Sequence, residues 1–234
     1  MDVEKTIIPE EKNTALLDEL FDVGAHIGYS RSRRHPSMKS FIFGKKNKID
    51  IIDLEKTSAQ LVDALDFIKA LRAQGKNILF VGTKPEARES IKREAMRVGM
   101  PYVTERWIGG LLTNFPQIRK RLDRLAELTT LVKDDAFLVY TKKEQGVLKK
   151  ELEDLVRKFG GFREITRIPD ALFVIDPKHE YISVLEAKQA KIPVVAVLNS
   201  DCNVANISYS IVANDSASTT IGYFVSKIAK ALEL

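Results

Sequence analysis

Stretches of near-continuous apolar residues alternate along the chain with stretches in which apolar residues recur every three or four positions. The apolar runs are 77–82, 171–176 and 194–198, and shorter extended pieces lie at 49–52 and 102–103. Helical spacing covers 14–24, 54–75, 85–98, 178–191 and 216–232. Short apolar runs separated by amphipathic helices are typical of a parallel sheet with helices on both faces. The pattern therefore predicts an α/β fold.

This alternation breaks between Phe115 and Gly161, where two helical stripes follow one another without a strong strand between them. The stripe residues are Ile118, Leu122, Leu125 and Val132 in the first helix, and Leu148, Leu152, Leu155 and Phe159 in the second. Thr141 and Glu144 form a Ser/Thr-x-x-Glu capping box for the second helix. Two narrow stripes that face each other predict an antiparallel coiled-coil hairpin at 115–161, inserted into an α/β body formed by 1–114 and 162–234.

The composition is that of a chain able to bury a large core, with 234 residues of which 44% are hydrophobic. Its apolar runs are far shorter than the ~20 residues that span a bilayer, and the acidic start MDVEKTIIPEEKN does not resemble a signal or transit peptide. Cys202 is the only cysteine, which excludes a disulfide within the chain and a cysteine-based metal cluster. We therefore expect a cytoplasmic protein that makes no membrane contact.

Positive charge is concentrated in one block rather than spread along the chain. The net charge is +5, and the block 31–48, RSRRHPSMKSFIFGKKNK, contains seven Lys and Arg residues and no acid. Such a block, with aromatic residues interleaved, favours binding to a polyanion, and a solvated basic loop is the alternative. The cations that would neutralise phosphates are Arg31, Arg33, Arg34, Lys39, Lys45, Lys46 and Lys48.

The segment 99–122 combines residue types that a core and a solvated loop would normally keep apart. It contains the only Trp, a Gly-Gly pair and several cations, and a loop of this kind usually contacts a partner. Arg106, Trp107 and Asn114 are candidates for stacking on, or hydrogen bonding to, an exposed base or ribose. The alternative for Trp107 is packing between hairpin and body. A second cationic patch at the root of the hairpin consists of Arg119, Lys120, Arg121 and Arg124.

An enzyme is the alternative that the fold class suggests, because open α/β sheets usually bind ligands at the carboxyl ends of their strands. The turn after the 77–82 run has one glycine, however, and the sequence contains no glycine-rich phosphate loop. Asp176 and Asp215, near two strand ends, are better interpreted as helix caps. The three histidines are far apart in sequence, and no Gly-x-Ser-x-Gly elbow occurs. We therefore expect no catalysis, metal, cofactor or small-molecule substrate.

Three stretches of the chain resemble the bacterial-type second protein of the small ribosomal subunit, in that family's order. The matching residues are Gly99–Val103, Arg106-Trp107, Gly109-Gly110 and Leu112–Phe115 in the centre, Gly24–Gly28, His35-Pro36, Met38-Lys39, Ile42–Gly44 and Ile49–Thr57 before it, and Pro169–Asp176 and Ile192–Ala196 after it. The resemblance implies a flavodoxin-like body with the coiled-coil hairpin. It also implies RNA contact, which it carries onto Lys39, Arg106 and Asn114.

The function that this resemblance implies is structural rather than enzymatic. It implies a constituent of the small ribosomal subunit that supports translation, contacts small-subunit ribosomal RNA and neighbouring proteins, and docks the large first protein of that subunit. Five positions depart from the family's usual pattern: Tyr29 and Ser30 replace His-Gln, Val212 and Ala213 replace Pro-Gly, and Ser216 replaces a second Asp. These departures affect the loop that contains His26 and the cap of the last helix. They leave the central stretch unchanged.

Overall fold

The computed structural model describes residues 10–233. Its helices are α1 (Glu10–Asp22), α2 (Leu54–Ala73), α3 (Pro85–Arg97), α4 (Phe115–Leu131), α5 (Lys142–Phe159), α6 (Tyr181–Gln189) and α7 (Ser218–Ala231). Its strands are β1 (Ile27–Ser30), β2 (Ile42–Lys46), β3 (Ile49–Ile52), β4 (Ile78–Val81), β5 (Tyr102–Val103), β6 (Ala171–Ile175), β7 (Val194–Leu198) and β8 (Tyr209–Val212). None of the helices in this part of the chain is long and apolar enough to cross a membrane.

The main sheet has five parallel strands in the order β5-β4-β6-β7-β8. Counted along the chain, these strands have the order 2-1-3-4-5, which is that of flavodoxin-like folds. Strands β4, β6 and β7 are buried along their whole length, as their continuous apolar runs predict. The predicted flavodoxin-like parallel sheet is confirmed.

Alternate side chains of the central strands enter two separate apolar layers. Ile78 and Phe80 of β4 pack with α1, α2, α3 and α7, whereas Leu79 and Val81 pack with α4, α5 and α6. Phe80 makes an edge-to-face contact with Phe173 of β6, with 5.3 Å between ring centroids. Helices therefore cover both faces of the sheet, which explains why the central strands contain almost no polar residue.

Strands β1, β2 and β3 form a second, antiparallel sheet in the order β1-β3-β2. The sequence pattern predicts only the extended piece at 49–52 and a short strand in the basic block. A turn at Asn47 and Lys48 joins β2 to β3, and their φ angles of 50° and 66° match a type I′ hairpin turn. Part of the basic block is therefore fixed on a hairpin.

Helices α4 and α5 occupy the region predicted to be a hairpin, and they pack against each other. Arg124 of α4 pairs with Glu151 of α5 at 3.1 Å, and the capping box of Thr141 and Glu144 is present. Their inward-facing residues belong to the same apolar layer as Leu79 of the main sheet. The supercoil of a coiled coil and the division of the chain at 115 and 161 stay predictions.

The Gly-Gly pair after α5 has a packing function. Gly160 has a φ of −56°, so the helix does not end in a left-handed residue there. A Cβ atom at Gly161 would lie 2.5 Å from the backbone oxygen of Tyr102. Only glycine therefore allows the end of the helical pair to lie this close to β5.

Candidate nucleic-acid interface

The small sheet and the turns beside it carry most of the predicted cations at the surface. The exposed ones are Arg31, Arg33, Lys39, Lys45, Lys46 and Lys48. Arg31, Lys45 and Lys48 surround a shallow surface depression, the basic concavity, whose other lining residues are Ser30, Ser32 and Asn47. No acid among residues 10–233 lines it. The pairing of β1 with β3 thus brings Arg31 beside the β2–β3 hairpin that carries Lys45 and Lys48.

Arg34 is the exception within the basic block. Its Nη1 atom lies 3.6 Å from Oδ1 of Asp50, and the two side chains are 23% and 1% exposed. A buried carboxylate is costly without a positive partner. Arg34 therefore neutralises Asp50 of β3 in this structure. Arg33 behaves differently, because its guanidinium lies over the ring of Tyr29, 5.8 Å from the centroid, where a cation–π contact forms.

Ser200, just after β7, fixes the beginning of the basic block to the main sheet. Its hydroxyl oxygen accepts a hydrogen bond from the backbone N–H of Tyr29 at 2.9 Å, and its carbonyl oxygen accepts one from His35 at 2.9 Å. The backbone also approaches closely at Gly28, where a Cβ atom would lie 2.9 Å from the carbonyl oxygen of Asp50. The beginning of the basic block is therefore attached to the carboxyl edge of the main sheet.

The loop between β5 and α4, here called the 104–114 loop, is organised around one buried carboxylate. Glu186 of α6 is 7% exposed. Its Oε1 atom accepts hydrogen bonds from Nε1 of Trp107 at 3.1 Å and the backbone N–H of Gly110 at 2.8 Å. Its Oε2 atom accepts bonds from the backbone N–H of Leu112 at 3.0 Å and from the N–H and hydroxyl of Thr113 at 3.4 and 3.3 Å.

Around this carboxylate, the predicted contact residues of the loop fall into two groups. Trp107 is 7% exposed, so packing is the arrangement that the structure favours for it over stacking on a base. Arg106 and Asn114 are exposed. Burial raises the pKa of Glu186, but the bonds from Leu112 and the other donors outweigh burial and lower the pKa below its usual value.

The second predicted cationic patch, at the start of α4, is divided in the same way. Lys120 and Arg121 are exposed. Arg119 donates a hydrogen bond to the carbonyl oxygen of Ile165 at 3.0 Å. Arg124 makes a bidentate pair with the carboxylate of Glu151 on α5. Lys120 and Arg121 are therefore the members of this patch that are best placed to meet an anion.

The carboxyl ends of the main-sheet strands meet in a partly buried ionic cluster, the strand-end cluster, in which Tyr29 of β1 joins Lys84, Asp176, Asn199 and Asp215. Nζ of Lys84 lies 3.1 Å from Oδ2 of Asp176 and 3.5 Å from Oδ1 of Asp215. Asp215 is 0% exposed, and its Oδ1 atom also accepts hydrogen bonds from Asn199 and Tyr29 at 3.3 and 3.4 Å. This cluster occupies the place where a flavodoxin-like fold usually binds a ligand.

The two aspartates of the cluster do not cap helices in the predicted way. Helix α7 has Ala217 at its N-cap without a side-chain bond, so the prediction for Asp215 is wrong, because burial in the cluster overrides capping. Asp176 accepts a hydrogen bond from the backbone N–H of His179 at 3.1 Å, but α6 begins only at Tyr181. Asp176 therefore holds the turn before the helix, with a left-handed φ of 58°.

The strand-end cluster places one positive charge, on Lys84, between the carboxyl groups of Asp176 and Asp215. Burial raises the pKa of Asp215 to about 6. Burial lowers the pKa of Lys84, but Asp215 and Asp176 outweigh it and hold that pKa above its usual value. Ligand atoms of Asp176, Asp215 and Cys202 lie within 4.8 Å of one another. Burial raises the pKa of the Cys202 thiol.

Three residues that organise this surface escape the sequence pattern. Ser200 and Lys84 follow buried strands, as many loop residues do, so neither stands out. Glu186 leaves one signal, since it is an acid within the inward-facing residues of α6, beside Ala187. Its partners in the 104–114 loop are more than 70 positions away, which sequence spacing does not reveal.

The fold and the arrangement of these surfaces agree with a match to a known protein family. The family model for ribosomal protein S2 matches residues 20–234. That range contains the basic block, the 104–114 loop, the helices α4 and α5, and the strand-end cluster. Because the match covers more than half of the chain, the chain belongs to the ribosomal protein S2 family, a family of small ribosomal subunit components.

Proposed function

We propose that this chain is a structural constituent of the small ribosomal subunit that binds small-subunit ribosomal RNA directly. Membership of the ribosomal protein S2 family supports the ribosomal role. The observation that carries the RNA contact is the basic concavity, where Arg31, Lys45 and Lys48 surround one depression. Lys and Arg side chains that neutralise phosphates supply most of the affinity for RNA and little sequence preference. This surface therefore binds the RNA backbone.

A second RNA contact forms at the 104–114 loop and the first turns of α4. Arg106 and Asn114 are exposed beside the loop's buried anchors, and Lys120 and Arg121 are exposed on the helix that follows. Arginine and asparagine are suited to hydrogen bonding with an exposed base or ribose, while the two helix cations are suited to phosphate. Lys39, exposed on the turn 36–41, adds a further phosphate contact.

The helical pair contributes contacts with neighbouring proteins in this proposal. Leu138 and Val139, in the turn that joins α4 to α5, are 75% and 87% exposed, which is unusual for apolar side chains. A coiled-coil arm with an apolar tip would reach beyond the α/β body. The resemblance noted from the sequence also supports docking of the large first protein of the subunit on this chain.

Catalysis has no part in the proposed function. In the strand-end cluster, where an enzyme of this fold would place its site, Lys84 pairs with both Asp176 and Asp215. We propose that the chain works without a cofactor and acts on no small-molecule substrate. Its contribution to translation is to hold RNA and protein neighbours in place.

The salt dependence of RNA binding tests the proposal. Each phosphate that is neutralised contributes roughly 0.7 to 0.9 to the slope of log affinity against log salt concentration. We expect the combined change Arg31→Gln, Lys45→Gln and Lys48→Gln to flatten that slope by about 2. The control is Lys69→Gln, Lys92→Gln and Lys230→Gln, which removes three exposed cations from α2, α3 and α7. Equal slopes for the two triple variants would contradict the proposal.

A further inference from the structure

We infer that Glu186 is the positioning residue of the RNA-contacting loop: its buried carboxylate holds the 104–114 loop in the conformation that presents Arg106 and Asn114 to an exposed nucleotide. This inference rests on the proposed RNA-binding function and extends it to a residue that does not itself touch RNA. Glu186 lies on α6, outside the loop and outside the basic block.

The carboxylate of Glu186 uses both of its oxygens to accept hydrogen bonds from the loop. Its two oxygens accept five hydrogen bonds from Trp107, Gly110, Leu112 and Thr113. All five donors are neutral N–H or O–H groups, and they come from one short stretch of chain. A carboxylate offers about four lone-pair positions, so Glu186 uses essentially its whole acceptor capacity on this loop.

The loop has no regular secondary structure, and beside the bonds to Glu186 it is held by the burial of Trp107, Leu111 and Leu112 in the apolar layer. The described chain contains no helix or strand between residues 104 and 114, and Gly110 adopts a left-handed φ of 88°. A buried carboxylate that is not fully bonded is costly, so a loop conformation that breaks these bonds is disfavoured. The bonds to Glu186 therefore select one conformation of the loop.

The residues that Glu186 anchors lie directly beside the proposed contact residues. Trp107 directly follows Arg106, and Thr113 directly precedes Asn114, so both exposed side chains adjoin an anchored residue. The side chain of Asn114 makes no capping bond to α4 and is available to a ligand. A shift of the anchors would therefore displace both contact residues together.

Replacement of Glu186 by glutamine gives the sharpest test because it keeps the volume of the side chain. The glutamine amide can be oriented in two ways. In both, its NH₂ group would face loop donors that now bond to a carboxylate oxygen, so those donors would lose their acceptor. The matched control is Glu180→Gln on the residue before α6, where a carboxylate that is 3% exposed accepts two bonds from Thr83, outside the loop. Both variants lose a buried negative charge, but only one of them loses it at the loop.

Two measurements separate positioning from a general loss of stability. The first is the affinity for small-subunit RNA at a temperature where circular dichroism shows both variants folded. We expect about 10-fold or greater weakening for Glu186→Gln, the equivalent of one lost base contact, and less than about 2-fold for Glu180→Gln. The second is the fluorescence of Trp107, the only tryptophan, whose emission should shift in Glu186→Gln and not in Glu180→Gln.

Coupling to the contact residues completes the test. In a chain that already carries Arg106→Ala and Asn114→Ala, adding Glu186→Gln should weaken RNA binding by less than about 2-fold, since positioning then has no contact residue to act on. If Glu186→Gln does not fold, Trp107→Phe removes one donor and should weaken binding by about 2- to 10-fold.

The outcomes distinguish this inference from the proposed function. Wild type that binds RNA with the expected salt dependence, together with Glu186→Gln or a folded Trp107→Phe that binds as tightly as Glu180→Gln, would overturn the role of Glu186 alone. Wild type that does not bind RNA would overturn the proposed function and this inference with it. Full additivity with the Arg106→Ala and Asn114→Ala changes would also contradict positioning.

Discussion

Arg31 and Arg34 belong to the same basic block, yet their surroundings give them different functions. Arg34 faces a carboxylate that is 1% exposed, whereas Arg31 lines the open basic concavity. We expect Arg34→Gln to lower the free energy of unfolding by about 1–3 kcal/mol, because it leaves Asp50 buried without a positive partner. Arg31→Gln should leave stability within about 0.5 kcal/mol of wild type and weaken RNA binding.

Urea unfolding and RNA binding at two salt concentrations check this pair of variants. Arg33→Gln serves as a second control for stability, because Arg33 is exposed and its guanidinium lies over the ring of Tyr29. A loss of stability in Arg31→Gln as large as that in Arg34→Gln would contradict the division of the block.

Asp215 gives a prediction about pH. Its pKa is raised to about 6 by burial, above the value of about 3.9 in an unfolded chain. The folded state therefore binds this proton more tightly, and the stability it contributes is present below about pH 4 and lost as the pH rises through about 6. Lys84 stays charged throughout this range because its own pKa is raised.

The measurement compares wild type with Asp215→Asn, which has no carboxyl group to titrate at this position. We expect the stability of wild type relative to the variant to fall between pH 4 and pH 7, by about 1.4 kcal/mol for each unit by which the pKa is raised. Urea unfolding at each pH gives both curves, in which the other carboxyl groups cancel. Parallel curves would show that Asp215 does not titrate in this range.

At the residue scale, the sequence predicts which groups are charged but not which charges meet. Arg31 and Arg34 are equivalent members of a basic run, and only the pairing of β3 with β1 brings Asp50 beneath one of them. Asp215 looks like a helix cap from its place before α7. Its partners Lys84 and Asn199 come from other strand ends, and the order of strands in the sheet decides their contact.

At the element scale, the elements with strong local signals were predicted and those that depend on tertiary pairing were not. The runs at 77–82, 171–176 and 194–198 are apolar throughout, and the structure confirms strands there. Strand β8 has only four residues with a serine among them, and it is a strand because it pairs with β7 at the edge. Strand β1, with a glycine inside, likewise depends on pairing with β3.

The helical pair leads to a prediction at this scale. Leu122 is 4% exposed in the inward stripe of α4. If 115–161 is an inserted hairpin, Leu122→Asp should place an unpaired charge in the seam and loosen α4 and α5 while the main sheet stays folded. Hydrogen exchange should show protection lost in both helices and kept in β4, β6 and β7.

The control for this variant is Ala126→Asp, which adds the same charge at an exposed position of the same helix. It should leave exchange unchanged throughout the chain. Because the stripe of α4 lies in the same apolar layer as Leu79, loss of protection in the main sheet is the result that would contradict an independent hairpin. In that case the two helices would belong to the main core.

At the scale of the whole molecule, the carboxyl edge of the sheet serves as an attachment point for the outer surface. Ser200 fixes the basic block there, and Lys84 links the ends of β4, β6 and β8 through the strand-end cluster. Glu180 and Glu186, just before and within α6, hold Thr83 and the 104–114 loop. A flavodoxin-like fold thereby uses its usual ligand region to set the shape of the outer surface.

A substitution at Asp176 distinguishes a structural ribosomal protein from an enzyme. Asparagine tolerates the left-handed φ of 58° at this position and can still accept the hydrogen bond from His179, while Lys84 keeps Asp215 as a partner. We therefore expect Asp176→Asn to sediment with small ribosomal subunits through a high-salt gradient about as well as wild type. An enzyme that used Asp176 as an acid, base or metal ligand would instead lose ~10²–10⁴-fold in turnover on this change.

We also expect purified wild type neither to bind nor to turn over ATP, NAD or FMN, measured by equilibrium dialysis and product formation. Asp66→Asn, at an exposed position of α2, is the control for the loss of one carboxylate. Stoichiometric nucleotide binding by wild type that Asp176→Asn abolishes and Asp66→Asn preserves would favour the enzyme and contradict the structural function proposed for this chain.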